Sequence, residues 1–456
     1  MWEQAMGGAM RALTYLASTD LLDRAGLRER AEQVVYEVSK RAVAAMERAA
    51  ASRPGRAHAT GAAATPTRFD LTPTEAQQLT RETVRRFARA ELLPAADPAD
   101  RACAPGAALL DAWQALGPAH LTLPVAYGGE GEPPSSATAA LIAEALSRGD
   151  MALALALMAP LGVASALALH GTDAQKARYL PRFAGERFYP AAFAVLEPGA
   201  LFDPRRLRTR ASRSGGGWTL RGAKALVPLA ERAEVLLVAA RVERRAAAKV
   251  AARVGGRVTP TVRRAPADGD VGLFLVPRGA RGLSVTPAPT MGLRGAALAD
   301  VKLEGVRLAD DALLGGDVST ERYEALVDRA RIGWGALAVG TGAALLDYVI
   351  EYCNDRVAFG EPISHRQAVA FTIANIAIEV EGLRLLVYRA ASRADHGLPF
   401  REHAHHVRAF AGDKAMQIGT DGVQLLGGAG FIRDHPVERW YRHLRGVALM
   451  EGALIC

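Results

Sequence analysis

The sequence predicts an α+β chain whose parts run helical, β, helical. Three observations predict this order. From Leu71 to about Tyr189 apolar residues recur at helical spacing. From Pro190 to Leu314 the pattern becomes short apolar runs bounded by turn residues, as in strands. From about Thr320 onward long helical patterns return. The implied divisions are a helical leader with linker at 1–68, an N-terminal helical domain at 69–189, a middle β domain at 190–315 with a basic insertion at 241–265, and a C-terminal helical bundle at 316–456. A chain of 456 residues has length enough for two or three domains with substantial cores.

In the leader, Met10, Leu13 and Leu16, then Val34, Val35, Val38, Ala42 and Met46, fall at helical spacing and predict two helices within 8–50. The linker ASRPGRAHATGAAATPT has no period. The sequence does not choose whether the leader packs on the body, on a partner subunit or on a membrane surface. Thr72-Pro-Thr-Glu predicts a helix start, with a capping hydroxyl, a proline at the first position and an acid in the first turn. LTLPVAYGGEG at 121–131 is expected to be the one extended piece of this region. Met151 to Leu169 carries no charge over 19 residues, close to a membrane-spanning length. Alanine dominates it, Pro160 interrupts it and no Trp or Tyr belt flanks it, so a buried helix pair is expected and no membrane span. WTLRG, EVLLVAARV, VGLFLVPR, LSVTP and DVKLEGVRL read as the strands of the middle domain. Helices are expected at 320–353, 366–396 and 401–426, with a shorter one after Pro436.

Half the residues are apolar and 23% are charged, a globular composition. Cys103, Cys353 and Cys456 are far apart, which excludes a zinc knuckle, argues against a disulfide framework and fits a reducing cytoplasm. Asp20, Asp23, Glu29, Glu32 and Glu37 argue against a transit peptide. The net charge of +8 comes mostly from Arg241–Arg264, where eight basic residues face one acid, Glu243. A solvated loop is expected there rather than a nucleic-acid contact, because no aromatic residue is interleaved for base stacking. His403, His405 and His406 lack a carboxylate or cysteine at ligand spacing, so no metal is expected.

LPVAYGGEG, HGTDAQKARYLPRFAGE, AVLEPGALFD, WTLRGAKALV, MGLRGAALADVKLEGVRL, RVAFGEPISHRQAVAF, GTDGVQLLGGAGF and PVERWYRHLRGVALMEG occur in one order from about residue 70 to 456. In that order and spacing they resemble the acyl-CoA dehydrogenase family. The resemblance implies a helical N-terminal domain, a middle β domain and a C-terminal four-helix bundle, assembled as a homo-oligomer, dimer or tetramer. It further implies FAD bound between subunits, an acyl-CoA substrate, an electron-transfer partner and a place in fatty acid metabolism. The reaction it implies is α,β-dehydrogenation: a glutamate removes the α-proton of the thioester while the β-hydride passes to flavin.

Chemistry of this kind needs a desolvated carboxylate aimed at a weakly acidic C–H. Glu451, in LMEGALI, matches the family's catalytic glutamate and has apolar neighbours. Arg356, Phe359 and Gln367 match the residues that help hold the FAD of a neighbouring subunit, a guanidinium for the diphosphate and an aromatic face for a ring. Gln424, Gly427 and Gly428 of QLLGGAG match the second contact, where glycines let backbone N–H groups approach a pyrophosphate. Read without the resemblance, these are a helix-end cation and a helix C-cap. Arg331 matches an arginine kept near the active site, though at helical spacing it is also placed to pair with Asp328.

The chain departs from the family where flavin meets the middle domain. Leu196, Leu201 and Phe202 replace a threonine, a glycine and a serine, and Leu226-Val227-Pro228 replaces a second hydroxyl-bearing stretch. Each neutral hydrogen bond lost is worth about 1 kcal/mol, so FAD binding is expected to be weakened or altered. His443 replaces an aspartate and Ala453 a threonine, and His443 beside Arg442 and Arg445 makes the neighbourhood more positive and is expected to perturb the geometry around Glu451. Three readings follow: a self-sufficient dehydrogenase, a non-catalytic or half-site subunit of a hetero-oligomer, and a polyanion- or DNA-binding member of the same fold using the Arg241–Arg264 segment.

Overall fold

The computed structural model describes residues 71–121, 123–129, 134–199, 201–243 and 269–456. The leader helices, the linker and nearly all of the basic insertion lie outside them. Helix α1 (Glu75–Phe87) starts from Thr74, not Thr72: Thr74 Oγ1 accepts from the Gln77 N–H at 3.2 Å and Gln77 Oε1 accepts from the Thr74 N–H at 3.0 Å. This reciprocal cap needs a Gln or Glu three residues on, and Gln77 supplies it. After α1 a π-turn leads into α2 (Leu93–Ala102), and α3 (Ala107–Ala115), α4 (Ser136–Ser147), α5 (Met151–His170) and α6 (Asp173–Phe183) follow.

The uncharged run at 151–169 is one helix rather than a pair. Asp150 caps α5 by accepting from the N–H groups of Ala152 and Leu153, and every residue from Met151 to Ala168 is buried. Proline inside a helix removes one backbone bond, and here the surrounding packing carries the chain through Pro160. The stretch expected to be extended at 121–131 instead makes short 3₁₀ turns at Pro118–Leu121 and Val125–Tyr127. Its backbone bonds close locally, with Tyr127 and Gly129 N–H both donating to Pro124 O.

The middle part is one seven-stranded sheet: β1 (Ala191–Ala194), β2 (Arg210–Ser214), β3 (Gly217–Val227), β4 (Val235–Val242), β5 (Val271–Pro277), β6 (Leu283–Pro287) and β7 (Ala299–Ala309). The order is β1-β4-β2-β3-β7-β6, with β5 also paired to β4. β4 lies inside because Val235–Ala240 is a continuous apolar run, buried throughout. It pairs in parallel with β1 and β2 and antiparallel with β5.

Four helices make the C-terminal part: α7 (Thr320–Asp355), α8 (Gln367–Asp395), α9 (Arg401–Leu426) and α10 (Val437–Val447). A small hairpin, β8 (Val357–Ala358) with β9 (Glu361–Pro362), joins α7 to α8. At Gly340 a Cβ would fall 2.1 Å from Glu144 O, so the missing side chain lets α7 pack closely on α4. By length and composition α5 and α7 pass for membrane spans, yet 94% and 78% of their most apolar windows are buried in the fold, as core helices are. The last residues, Met450–Cys456, are buried too, and Ala453 bridges antiparallel to Phe193 at the edge of the sheet.

Candidate active site

Glu451 follows α10 in a segment that crosses between the helical bundle and β1. Gly452 and Ala453 hold it there. Gly452 has φ +71°, its carbonyl accepts from Trp334 Nε1 at 2.9 Å, and the Ala453 N–H donates to Phe193 O at 3.0 Å. A Cβ on Gly452 would lie 2.5 Å from Val195 Cγ2. Gly452→Ala therefore meets both a left-handed backbone and a clash, and is expected to cost about 1–3 kcal/mol. Urea unfolding checks this, and activity is expected to fall with it because Glu451 shifts.

The Glu451 carboxylate is 7% exposed and lies between two guanidiniums. Arg331, from α7, donates through Nε and Nη2 at 3.4 Å each. Arg408, from α9, donates through Nε at 3.0 Å and uses its other nitrogens on Val447 O and Ala448 O, both at 2.8 Å. Arg331 also donates to Asp328 at 3.0 Å, so it contacts both carboxylates at once. Burial, with the charge of Glu451 next, pushes the Tyr323 hydroxyl well above its usual value, and that hydroxyl donates to Pro204 O at 2.7 Å. The cleft lined by Pro204, Tyr323, Val327 and Arg331 has a volume of only about 20 Å³.

His443 faces Asp150 at the start of α5 rather than Glu451. It is fully buried, accepts at Nδ1 from the Leu293 N–H at 2.9 Å and places Nε2 3.3 Å from Asp150, which Arg439 also reaches. Burial favours this placement because Asp150, already capping α5, offers acceptor oxygens to the Arg439 guanidinium and to the His443 ring.

Arg356, Phe359 and Gln367 cluster at the small hairpin between α7 and α8. Phe359 is 95% exposed with φ +55°, and the Arg366 guanidinium lies 5.8 Å from its ring centre. Gln424, Gly427 and Gly428 are exposed at the end of α9, and a Cβ on either glycine would meet open space. The structure brings the two motifs together: Arg356 and Ala429, next to Gly428, line one cleft of about 520 Å³. It does not bring Glu451 to that cleft. An exposed guanidinium beside uncrowded glycines suits a diphosphate.

In the middle domain Glu197 is the anchor of AVLEPGALFD. Its buried carboxylate accepts from the Arg208 and Thr209 N–H groups at 2.6 and 2.9 Å and from Lys224 Nζ at 2.9 Å. Burial pushes the fully buried Lys224 ammonium down to about 8, with Glu197 pulling the other way. Burial opposes ionisation of Glu197 as well, but Lys224, Thr209 and Arg208 hold its carboxyl below the ordinary value. Both groups are therefore charged at neutral pH. Leu196 is buried, and Phe202 and Leu226 pack against the core. The Leu226 N–H donates to Asp300 and the Ala225 N–H to Leu196 O. Among the described residues no group of His, Cys, Asp or Glu is arranged to hold a metal, and His403 and His406 meet only ring to ring at 6.2 Å.

Sequence reasoning missed Arg408, Trp334 and the Lys224–Glu197 pair. Arg408 and Glu451 are 43 residues apart and share no motif, so no local signal joins them. Lys224 carried a signal: a lysine inside an apolar strand run needs a buried acid.

Family models for the N-terminal, middle and C-terminal domains of acyl-CoA dehydrogenases match residues 74–187, 192–306 and 322–454. A probable acyl-CoA dehydrogenase, fadE25, of Mycobacterium leprae is 33% identical over 398 residues, covering 84% of this chain and 94% of the relative. A cyclohex-1-ene-1-carbonyl-CoA dehydrogenase of Geobacter metallireducens is 30% identical, covering 83% and 95%. The solved butyryl-CoA dehydrogenase of Megasphaera elsdenii superposes with a TM-score of 0.73 at 26% identity, over 84% of this chain and 96% of that one. With all three domains matched in order and the helical, β, helical fold in place, the chain belongs to the acyl-CoA dehydrogenase family.

Proposed function

We propose that the protein is an FAD-dependent acyl-CoA dehydrogenase in which Glu451 removes the α-proton of an acyl-CoA thioester. The observation that carries this reading is the buried Glu451 carboxylate, fixed at the junction of α7, α9 and the edge of the sheet by Arg331, Arg408 and the Gly452 turn. A carboxylate held out of bulk water in one orientation is what α-proton abstraction requires. To reach a substrate it must exchange the Arg408 bond for the substrate C–H, while Arg331, tied to Asp328, stays in place. Arg356, Phe359, Gln367, Gln424, Gly427 and Gly428 would hold FAD, which when bound supplies the acceptor for the β-hydride. An enzyme of this kind would need an electron-transfer partner. Three free thiols fit a cytoplasmic setting. Purified protein given FAD and a series of saturated acyl-CoA thioesters is expected to reduce an artificial dye. No flavin uptake at all would sink the reading.

The cofactor-holding residues are exposed, which fits a site completed by another subunit. On α8, Phe371, Ile378 and Leu385 are 60–66% exposed at intervals of seven residues, an apolar stripe of the kind that a homo-oligomer, dimer or tetramer, buries. Ile378→Asp is expected to shift the protein to monomer in sedimentation and to lower its FAD content at the same time.

A second reading is favoured by the middle domain. Leu226 and Ala225 spend their N–H groups internally, Pro228 has none, and Leu196 is buried, while the C-terminal face is open. A chain built this way completes a flavin site in another family member better than its own. Activity that appears only on mixing with a second acyl-CoA dehydrogenase subunit would favour this half-site role; a flavin-loaded, active homo-oligomer would exclude it.

A further inference from the structure

Arg81 and Arg85 stand one helical turn apart on α1 and share a face. They line a groove of about 570 Å³ between α1, α4 and α8, walled by Pro73, Leu141 and Tyr388. Both carboxylates in this groove are already committed. Glu144 accepts from Arg384 Nε at 3.1 Å and from the Tyr388 hydroxyl at 2.6 Å. Asp395 caps α4, accepting from the Ser136 and Ala137 N–H groups at 2.6 and 3.0 Å and from the Ser135 hydroxyl at 2.8 Å. Arg81 Nε is buried without an acceptor. Burial, then the Arg148 and Arg81 guanidiniums, hold Arg85 below its usual range despite Glu144. The reaction proposed for Glu451 uses none of these groups.

A buried guanidinium donor left unpaired is costly, and two like charges one turn apart repel. An anion between them removes both penalties. A cation is excluded by the same charges, and a neutral apolar ligand leaves Arg81 Nε without an acceptor. A bare ion leaves the Pro73 and Leu141 walls uncovered. The volume falls within that of sites for small organic ligands. We propose that this groove binds an amphipathic anion, a carboxylate or phosphate head on an aliphatic chain, with Arg81 and Arg85 on the head and Pro73, Leu141 and Tyr388 along the chain. A guanidinium pairs with either head, so a fatty acid and a phosphate monoester share this chemistry.

The test is calorimetric titration of the purified full-length protein with decanoate, decyl phosphate, decanol and inorganic phosphate. Wild type is expected to bind decanoate or decyl phosphate, and the tighter of the two identifies the head. Arg81→Met is expected to weaken that ligand about tenfold or more, the scale of one charge-assisted hydrogen bond. Arg81→Lys, which keeps the charge, is expected to lose less. Arg86→Met, beside Arg85 in sequence but outside the lining of the groove, is expected to lose nothing. Circular dichroism checks that each variant is folded, and Arg85→Met, at an exposed position, is expected to show the same loss should Arg81→Met not fold. Unchanged binding in both Met variants overturns the site. Glu451→Gln is expected to bind as wild type does; a loss there places the ligand at the candidate active site and overturns the groove. Equal binding of decanol removes the head, and equal binding of inorganic phosphate means an adventitious ion only. A wild type that binds neither amphiphile, as when another copy of the chain covers the groove, overturns the proposal outright. None of these readouts depends on flavin uptake, so the groove and the dehydrogenase reading fail separately.

Discussion

Lys224→Met is expected to lower the free energy of unfolding by about 3–5 kcal/mol, because it strands the Glu197 carboxylate in the interior. Both partners are almost wholly buried, and their contact is 2.9 Å. The substitution removes the cation that offsets burial of Glu197, while the Arg208 and Thr209 N–H groups remain bonded to it. The double variant Lys224→Met, Glu197→Gln keeps an acceptor for those N–H groups without a charge, and is expected to recover part of the loss. Urea unfolding of the three proteins measures this. A single-variant change under about 1 kcal/mol would mean that water reaches the pair. The pH dependence has a definite sign. Glu197 has a lowered carboxyl pKa in the fold, so its contribution is present above the ordinary value of 4.5 and is lost as pH falls through and below it. Glu197→Gln is expected to flatten that acid limb.

The second large effect is at Glu451. Glu451→Gln keeps the size and the acceptor oxygen facing Arg331 and Arg408 but cannot take a proton. Dye reduction with acyl-CoA is expected to fall about 10²–10⁴-fold, the range that a positioned general base supplies, with FAD content unchanged. The variant is also expected to unfold more readily, since two guanidiniums lose their anion. Activity within about twofold of wild type would remove Glu451 from the chemistry.

Much of the fold was legible because the strongest signals were long and periodic. The four C-terminal helices follow the apolar spacing within a few residues, and β3 to β7 follow their turn-bounded runs. Strands β1 and β2 were not legible. AAFA has little strand propensity of its own, and RASRS buries only Ala211, so β1 is a strand because β4 pairs with it, and β2 because β3 pairs along its whole length and β4 at its start. Pro160 misled in the other direction, since tertiary packing overrode a local helix breaker. At the candidate site, Glu451, Arg331 and the two glycine-bearing motifs were legible as candidates because each sits in a recognisable stretch. Arg408 could not, because its partner is set by how α9 packs against the end of α10. His443 misled because its neighbours in sequence are not its neighbours in space: it faces α5 rather than Glu451.

The most direct test of Glu451 as base does not depend on electron transfer. Saturated acyl-CoA thioesters are incubated with the protein in D₂O, and α-deuterium is followed by mass spectrometry. Wild type is expected to exchange the α-proton, and Glu451→Gln to leave it at the background rate of the free thioester. Equal exchange by the two proteins, both well above that background, would contradict the account.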